Sequence, residues 1–340
     1  MPLLLTADPG LEDVVLAELA DRGLAGEARP YGYAGLVRTE GDAAGLFDLR
    51  SVHHLIRERA HLTLPGRGLG DAVAALSRVA FPELAGGASF AVRVHRRGEH
   101  GFKSPDLERA LGAVLVERYR APVDLEAPDL PIRVDLFDRR ALVGIQLTRA
   151  PLSRRYPKVY APPAALKTTV AYGLLRLAGV GGRGRLLDPF TGSGTVAIEA
   201  AQAFPGVAVV ALDIRPRAVA GAQANAAAAG VAGAVRFLRA DARRLVGVLP
   251  PGFDWIVANP PFGRRLGRDL DLRALYARFL DQAALLLRPG GRLVFLAKRR
   301  GMAARLVAER PALRLRHRRV VELGGLYVGL FVVERRISPS

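Results

Sequence analysis

Residues 253–263 read FDWIVANPPFG, an apolar run that stops abruptly at Asn259-Pro260-Pro261-Phe262. Two successive prolines end any helix or sheet ladder. The Asn259 side-chain oxygen and the Pro260 carbonyl are two acceptors side by side, and Phe262 adds a flat apolar ring. The prolines bring no N–H to compete for the carbonyl, which is then held outward. Two acceptors fit the two N–H groups of an exocyclic amine on a planar base. Holding those N–H groups pyramidalises the amine and aims its lone pair, while a base stacked on Phe262 gains about 1–3 kcal/mol. Such an amine needs alignment more than a strong base, and its base must leave the stack to reach the turn. Asn259, Pro260 and Phe262 are therefore the candidate catalytic residues. The motif defines a planar amine and leaves open which one.

A second motif lies upstream. LLDPFTGSGTVAIEAA, residues 186–201, places Gly192-Ser193-Gly194 between a strand pattern and a helix pattern. Glycines there let the backbone turn tightly and approach a ligand. Asp188 falls at the carboxyl end of the strand, where open α/β sheets bind ligands. Asp213 closes the next strand and can accept both ribose hydroxyls. Asp241 closes the third and can accept an adenine amine. GSGTVA also fits a dinucleotide fingerprint, which makes a nicotinamide enzyme an alternative. A pyrophosphate, however, wants backbone N–H groups and no carboxylate beside it. Asp188 suits the ammonium of S-adenosylmethionine instead. The candidate cofactor-binding residues are Asp188, Pro189, Phe190, Thr191, Gly192, Ser193, Gly194 and Thr195, with Asp213, Ile214, Asp241, Ala242 and Asn259.

DPFTGSGT, the strand-end Asp213, Asp241-Ala242 and NPPF resemble motifs one to four of the Rossmann-fold, S-adenosylmethionine-dependent methyltransferases. The resemblance covers roughly residues 165–335. Together with the upstream segment PPAALKTTVAYGLL, it is similar to the branch carrying a THUMP RNA-binding domain, the tRNA and rRNA guanine-N2 methyltransferases. What this implies is methyl transfer to N2 of a guanosine in tRNA. The front end is similar to that of enzymes making N2-methylguanosine at position 6 of the acceptor stem. A branch acting on position 10 tends toward Asp in place of Asn259. A 23S rRNA guanine-N2 enzyme, an RNA adenine-N6 enzyme and a non-catalytic RNA-binding protein are the alternatives.

The elements that must position these residues divide in two. Residues 1–65 read β-α-β-β-α-β, a ferredoxin-like unit in which DAAGLFDLRSVHHLI is expected helical and ERAHLTLP a strand. Residues 66–150 read as a second, THUMP-like α+β unit, with a Ser-capped helix SPDLERALGAVLVERY and a hairpin around Asp138-Arg139-Arg140. Residues 151–165 hold four prolines, three basic residues and no acid, a basic linker that can act as spacer or as contact surface. From 166 to 340, apolar strands alternate with helices, as in a mostly parallel, seven-stranded Rossmann-type sheet. Two strands around Gly324-Gly325 close it as an antiparallel hairpin.

Charge adds a partner. Of the basic residues 46 are Arg and 4 are Lys, and the net charge is +18. Residues 1–150 hold 19 basic and 21 acidic residues; residues 151–340 hold 31 and 11. So basic a half points to a polyanion, RNA first. Arg93, Arg96, Arg97 and Lys103 in the front half, Arg154, Arg155 and Lys158 in the linker, and Arg264, Arg265 and Arg268 after NPPF are candidate RNA contacts. There is no cysteine, which excludes disulfides, zinc-thiolate sites and the thiol nucleophile used for methylation at carbon-5 of pyrimidines. No metal site is expected, nor a signal peptide or membrane span. The expectation is a cytoplasmic monomer.

Overall fold

The computed structural model describes residues 2–163, 165–263 and 271–337. Arg264, Arg265 and Arg268 lie outside them.

The front half is built from β1 (Pro2–Ala7), α1 (Glu12–Ala20), β2 (Gly26–Ala28), β3 (Leu36–Glu40), β4 (Val52–Thr63), α2 (Leu69–Leu76), β5 (Phe90–Arg97), α3 (Ser104–Tyr119), β6 (Leu130–Phe137) and β7 (Arg140–Gln146). The two expected units share one seven-stranded sheet, ordered β2-β3-β1-β4-β7-β6-β5. The seam is β4, which pairs antiparallel with β1 on one side and with β7 on the other.

The expected helix over 42–56 is not formed. Ala44–Leu46 is a single 3-10 turn, and Val52 begins a strand that runs through the expected ERAHLTLP strand. Leu46, Leu49, Val52 and Leu55 are all fully buried. Their three-residue spacing imitates a helix face, but the pairing available from β1 and β7 overrides it. The α3 cap also differs. Ser104 is the first helical residue, and the Asp106 carboxylate accepts the Lys103 N–H at 2.8 Å instead.

The second half contains α4 (Thr168–Ala178), β8 (Gly184–Asp188), α5 (Thr195–Ala203), β9 (Val207–Asp213), α6 (Pro216–Ala228), β10 (Val235–Arg239), β11 (Phe253–Ala258), α7 (Leu272–Leu286), β12 (Leu287–Ala297), α8 (Arg300–Ala308), β13 (Leu313–Leu323) and β14 (Leu326–Arg335). The sheet order is β10-β9-β8-β11-β12-β14-β13. The first five strands are mutually parallel; β14 alone runs against them, pairing antiparallel with β12 on one side and with β13 on the other. Helix α8, whose buried Ala303, Leu306 and Val307 mark its inner face, has no counterpart in the expected elements. The chain leaves β8 toward β9 and later returns to β11 on the opposite side. The β8/β11 gap is therefore the topological switch point, where such sheets take ligands.

The halves are packed together. Leu11, just before α1, and Val14 within it join the core that α4 and α5 form over the second sheet. The Glu322 N–H donates to the Pro9 carbonyl at 3.0 Å. Buried Asp8 accepts from Lys167 at 2.8 Å, Thr169 at 2.5 Å and His53 at 3.1 Å. The linker is no free spacer either: Tyr156 packs against Ile198 and Ala226.

Candidate active site

The four motif segments meet on one rim, at the carboxyl ends of β8, β9, β10 and β11. Strand register sets their heights. Asp188 pairs with Ala211, so Asp213 stands two residues further out. Arg239 pairs with Asp213, so Asp241 is two further again. On the other side Ile256 pairs with Leu187, which puts Asn259 two residues beyond the level of Asp188. The three acids form a staircase across three strands rather than a level row. An elongated nucleoside laid across it meets Asp188 first, at the switch point.

Asp188 is 1% exposed, and its Oδ2 has no partner among the described residues. Burial, with the Asp213 charge nearby, pushes its carboxyl up from 3.8 to about 7. An apolar surround penalises the anion until a cation arrives. Asn259 Oδ1 and Thr191 Oγ1 are likewise buried without partners. Buried polar atoms are nearly always paired in native proteins, so these oxygens, with Thr191 close enough to Asp188 for its hydroxyl to lower the carboxyl, mark a place that a polar ligand completes. A cationic amino-acid end beside Asp188 fits this donor set.

The glycine loop leaves room at this point. Gly192 has φ +54°, and a Cβ there would meet only the Phe190 carbonyl oxygen, at 3.9 Å. Gly194, at φ +83°, lies so close to α6 that a Cβ would meet Ala222 at 3.1 Å. The Gly192 N–H donates to Asp213 Oδ2 at 3.1 Å, tying the loop to the next strand. Ser193 and Thr195 face each other, hydroxyl to hydroxyl, at 3.1 Å. Pro189 and Ala242 are buried, Phe190 half-buried, and Ile214 is 50% exposed at the rim.

Two acids are more engaged than their positions alone imply. Asp213 accepts the Arg215 N–H at 3.0 Å and its Nε at 3.2 Å. Asp241 is gripped by Arg243 through Nε at 3.0 Å and Nη2 at 2.7 Å, which holds its carboxyl below the usual range. Each arginine follows its acid by two residues, a spacing visible in the sequence but not read from it. Asn225 was also missed. It is fully buried in α6, and its Nδ2 donates to the Ser193 carbonyl at 2.9 Å and the Tyr160 carbonyl at 2.7 Å. Asn225 is one of two amides, with Gln223, in the alanine run AQANAAAAG, and that was the available signal.

At the turn, Pro260 is buried, and Phe262 is half-buried with one side against the core. Of the candidate RNA contacts, Arg93, Arg97, Lys103 and Arg154 are exposed. Arg96 is tied to the Phe102 carbonyl and to Ser104. Arg155 binds the Arg50 carbonyl and Thr168, and Lys158 donates to the Leu166 carbonyl at 3.0 Å. These three are committed to internal contacts, so their charge serves the packing of the fold. Among the described residues no group of three or more His, Asp or Glu could hold a metal ion, and no helix is long and apolar enough to cross a membrane.

The chain matches two family models, a THUMP domain over residues 69–146 and an RMKL-like methyltransferase domain over 154–329. It is 44% identical over 337 residues to a tRNA (guanine(6)-N2)-methyltransferase of Thermus thermophilus, covering 97% of this chain and 98% of that one. A protein of the same description from Archaeoglobus fulgidus is 31% identical, with 96% and 90% covered. Among solved structures, TrmN from Thermus thermophilus superposes with a TM-score of 0.81 at 42% identity, covering 98% of this chain and 99% of that one.

Proposed function

Because this chain belongs to the THUMP-domain, RMKL-like methyltransferases, whose methyl donor is S-adenosylmethionine, we propose that it methylates N2 of guanosine 6 in the acceptor stem of tRNA. The product is N2-methylguanosine, and the enzyme works as a cytoplasmic monomer. The observation that carries this reading is the buried Asn259 Oδ1 beside the switch point, which has no hydrogen-bond partner among the described residues. The relatives supply the target: the Thermus and Archaeoglobus proteins are both described as acting at guanine 6 of tRNA.

The donor supplies an electrophilic methyl on a sulfonium. The chain supplies alignment. Asn259 Oδ1 and the Pro260 carbonyl accept the two N2–H groups, which turns the amine lone pair toward the methyl. Phe262 takes the base on its exposed side. The nitrogen–carbon bond forms as the carbon–sulfur bond breaks, and the alkylated amine then loses a proton to water. No residue has to act as a strong base. Asp188 balances the ammonium of the donor, and Asp213 takes the ribose hydroxyls, already oriented by Gly192 and Arg215. The target guanosine has to be flipped out.

Labelled-methyl transfer to bulk tRNA and to rRNA, followed by nucleoside analysis, tests the reading. Label in N2-methylguanosine of tRNA supports it. Label only in rRNA, or in N6-methyladenosine, rejects it.

A further inference from the structure

The hairpin that closes the second sheet carries a tyrosine that nothing in the fold uses. Tyr327 follows the Gly324-Gly325 turn and is 64% exposed. Among the described residues no ring stacks on it and its hydroxyl has no partner. Its place is set by register. Ala297, the last residue of β12, pairs with Gly329 of β14. Tyr327 therefore projects two residues past the carboxyl end of β12, on the same rim as the Asn259 turn. It lies two strands across from β11 and about three residues further out. By ordinary strand spacing and rise that is about 14 Å, within reach of the nucleotides flanking a flipped base.

Its surroundings are basic and partly apolar. Tyr327 shares a sheet face with Gly329, where a Cβ would come within 2.8 Å of Arg300 Cγ. The Arg300 stem thus lies beside the tyrosine. Arg299 and Arg300 are exposed, Lys298 is half-buried, and among the described residues none of the three is ion-paired. Val320, opposite Gly329, is 41% exposed on that face. Half-buried Glu322 is the cross-strand partner of Tyr327. An exposed ring flanked by unpaired cations is the composition of a platform for single-stranded nucleic acid, with base on ring and phosphate on cation.

We propose that Tyr327, with Lys298, Arg299 and Arg300, forms a subsite that stacks one base of the RNA strand flanking the methylated guanosine and neutralises its phosphates. The subsite extends the reading of the chain as an RNA methyltransferase, but its test does not depend on which nucleotide is modified. Kd for bulk tRNA is measured with the full chain in the presence of S-adenosylhomocysteine, for wild type, Tyr327→Ala and Tyr327→Phe. Tyr327→Ala should weaken binding about 5- to 100-fold, while Tyr327→Phe, which keeps the ring, stays within about twofold. Kd for S-adenosylhomocysteine and the melting temperature should not move in either variant. Arg299→Gln should lower the slope of log Kd against log salt by about one counterion. A wild-type Kd in Tyr327→Ala, or an equal loss in Tyr327→Phe, overturns the proposal. Nucleoside analysis of wild-type product decides the target base separately.

Discussion

Asp188 and Asn259 close neighbouring strands, one on each side of the switch point, and each holds a buried oxygen with no hydrogen-bond partner among the described residues. One oxygen belongs to a carboxyl held near neutrality by burial, the other to an amide. In the proposed chemistry the first faces the donor's cationic end and the second the acceptor amine. The reaction then takes place between the ends of two adjacent strands.

Asn259→Ala removes an acceptor without touching the glycine loop. Turnover should fall about 10²- to 10³-fold, the usual cost of losing one positioned polar group at the reacting centre. Calorimetric Kd for S-adenosylhomocysteine should remain that of wild type. Unchanged turnover would remove Asn259 from the chemistry.

The Asp188 carboxyl gives a pH signature. Its folded value of about 7 stands above the ordinary 3.8. Between about pH 4 and pH 7 the ligand-free protein therefore holds a proton that the unfolded chain has lost. Its contribution to stability declines as pH rises through that window and is level above it. The donor's ammonium favours the anion, so binding S-adenosylhomocysteine at pH 6.5 should release a proton. Calorimetry in buffers of different ionisation enthalpy measures this. Asp188→Asn should abolish the release and weaken binding at least tenfold.

Asp8 has the opposite sign. Burial alone would raise its carboxyl, but the hydrogen bond and charge of His53, with Lys167, hold it down at about 2. The interaction is whole above about pH 4 and is lost as pH falls toward 2. Asp8→Ala should cost about 1.5–3 kcal/mol, the range for hydrogen bonds to a charged group, seen as a lower midpoint in urea. Since Asp8 fastens the front half to the start of α4, tRNA binding should weaken more than S-adenosylhomocysteine binding.

Asn225→Leu tests the link between α6 and the glycine loop. It strips the Ser193 and Tyr160 carbonyls of their donor and the Tyr160 N–H of its acceptor. Buried unpaired groups cost about 1–3 kcal/mol each, and the loop loses a fixed point. Both thermal stability and donor affinity should fall.

How much of this was legible in the sequence differs between the halves. In the second half the pattern is redundant: each parallel strand is an apolar run ending in a residue with chemistry, and Asp188, Asp213, Asp241 and Asn259 fall at the ends of adjacent strands. In the front half Leu46, Leu49, Val52 and Leu55 gave a helical spacing to a segment that tertiary pairing made into a turn and a strand. Non-local hydrogen bonds decided that outcome, and no window of sequence contains them. The same holds for Arg155, which reads as a free cation but donates to the Arg50 carbonyl, 105 residues away. Lys158 reads the same way; its partner, the Leu166 carbonyl, is only 8 residues on but has no side-chain signature. Asn225 was hidden because its partners are loop carbonyls, which have no side-chain signature.

The proposed role of Asn259 and its prolines is to hold the N2 amine of guanosine 6 in tRNA. Its most direct test is transfer of labelled methyl to an unmodified tRNA transcript bearing guanosine at position 6, alongside the same transcript with inosine there, which lacks the exocyclic amine. About one N2-methylguanosine is expected per guanosine-6 transcript and none on the inosine transcript. Equal labelling of both transcripts, or label in any other nucleoside, would contradict it.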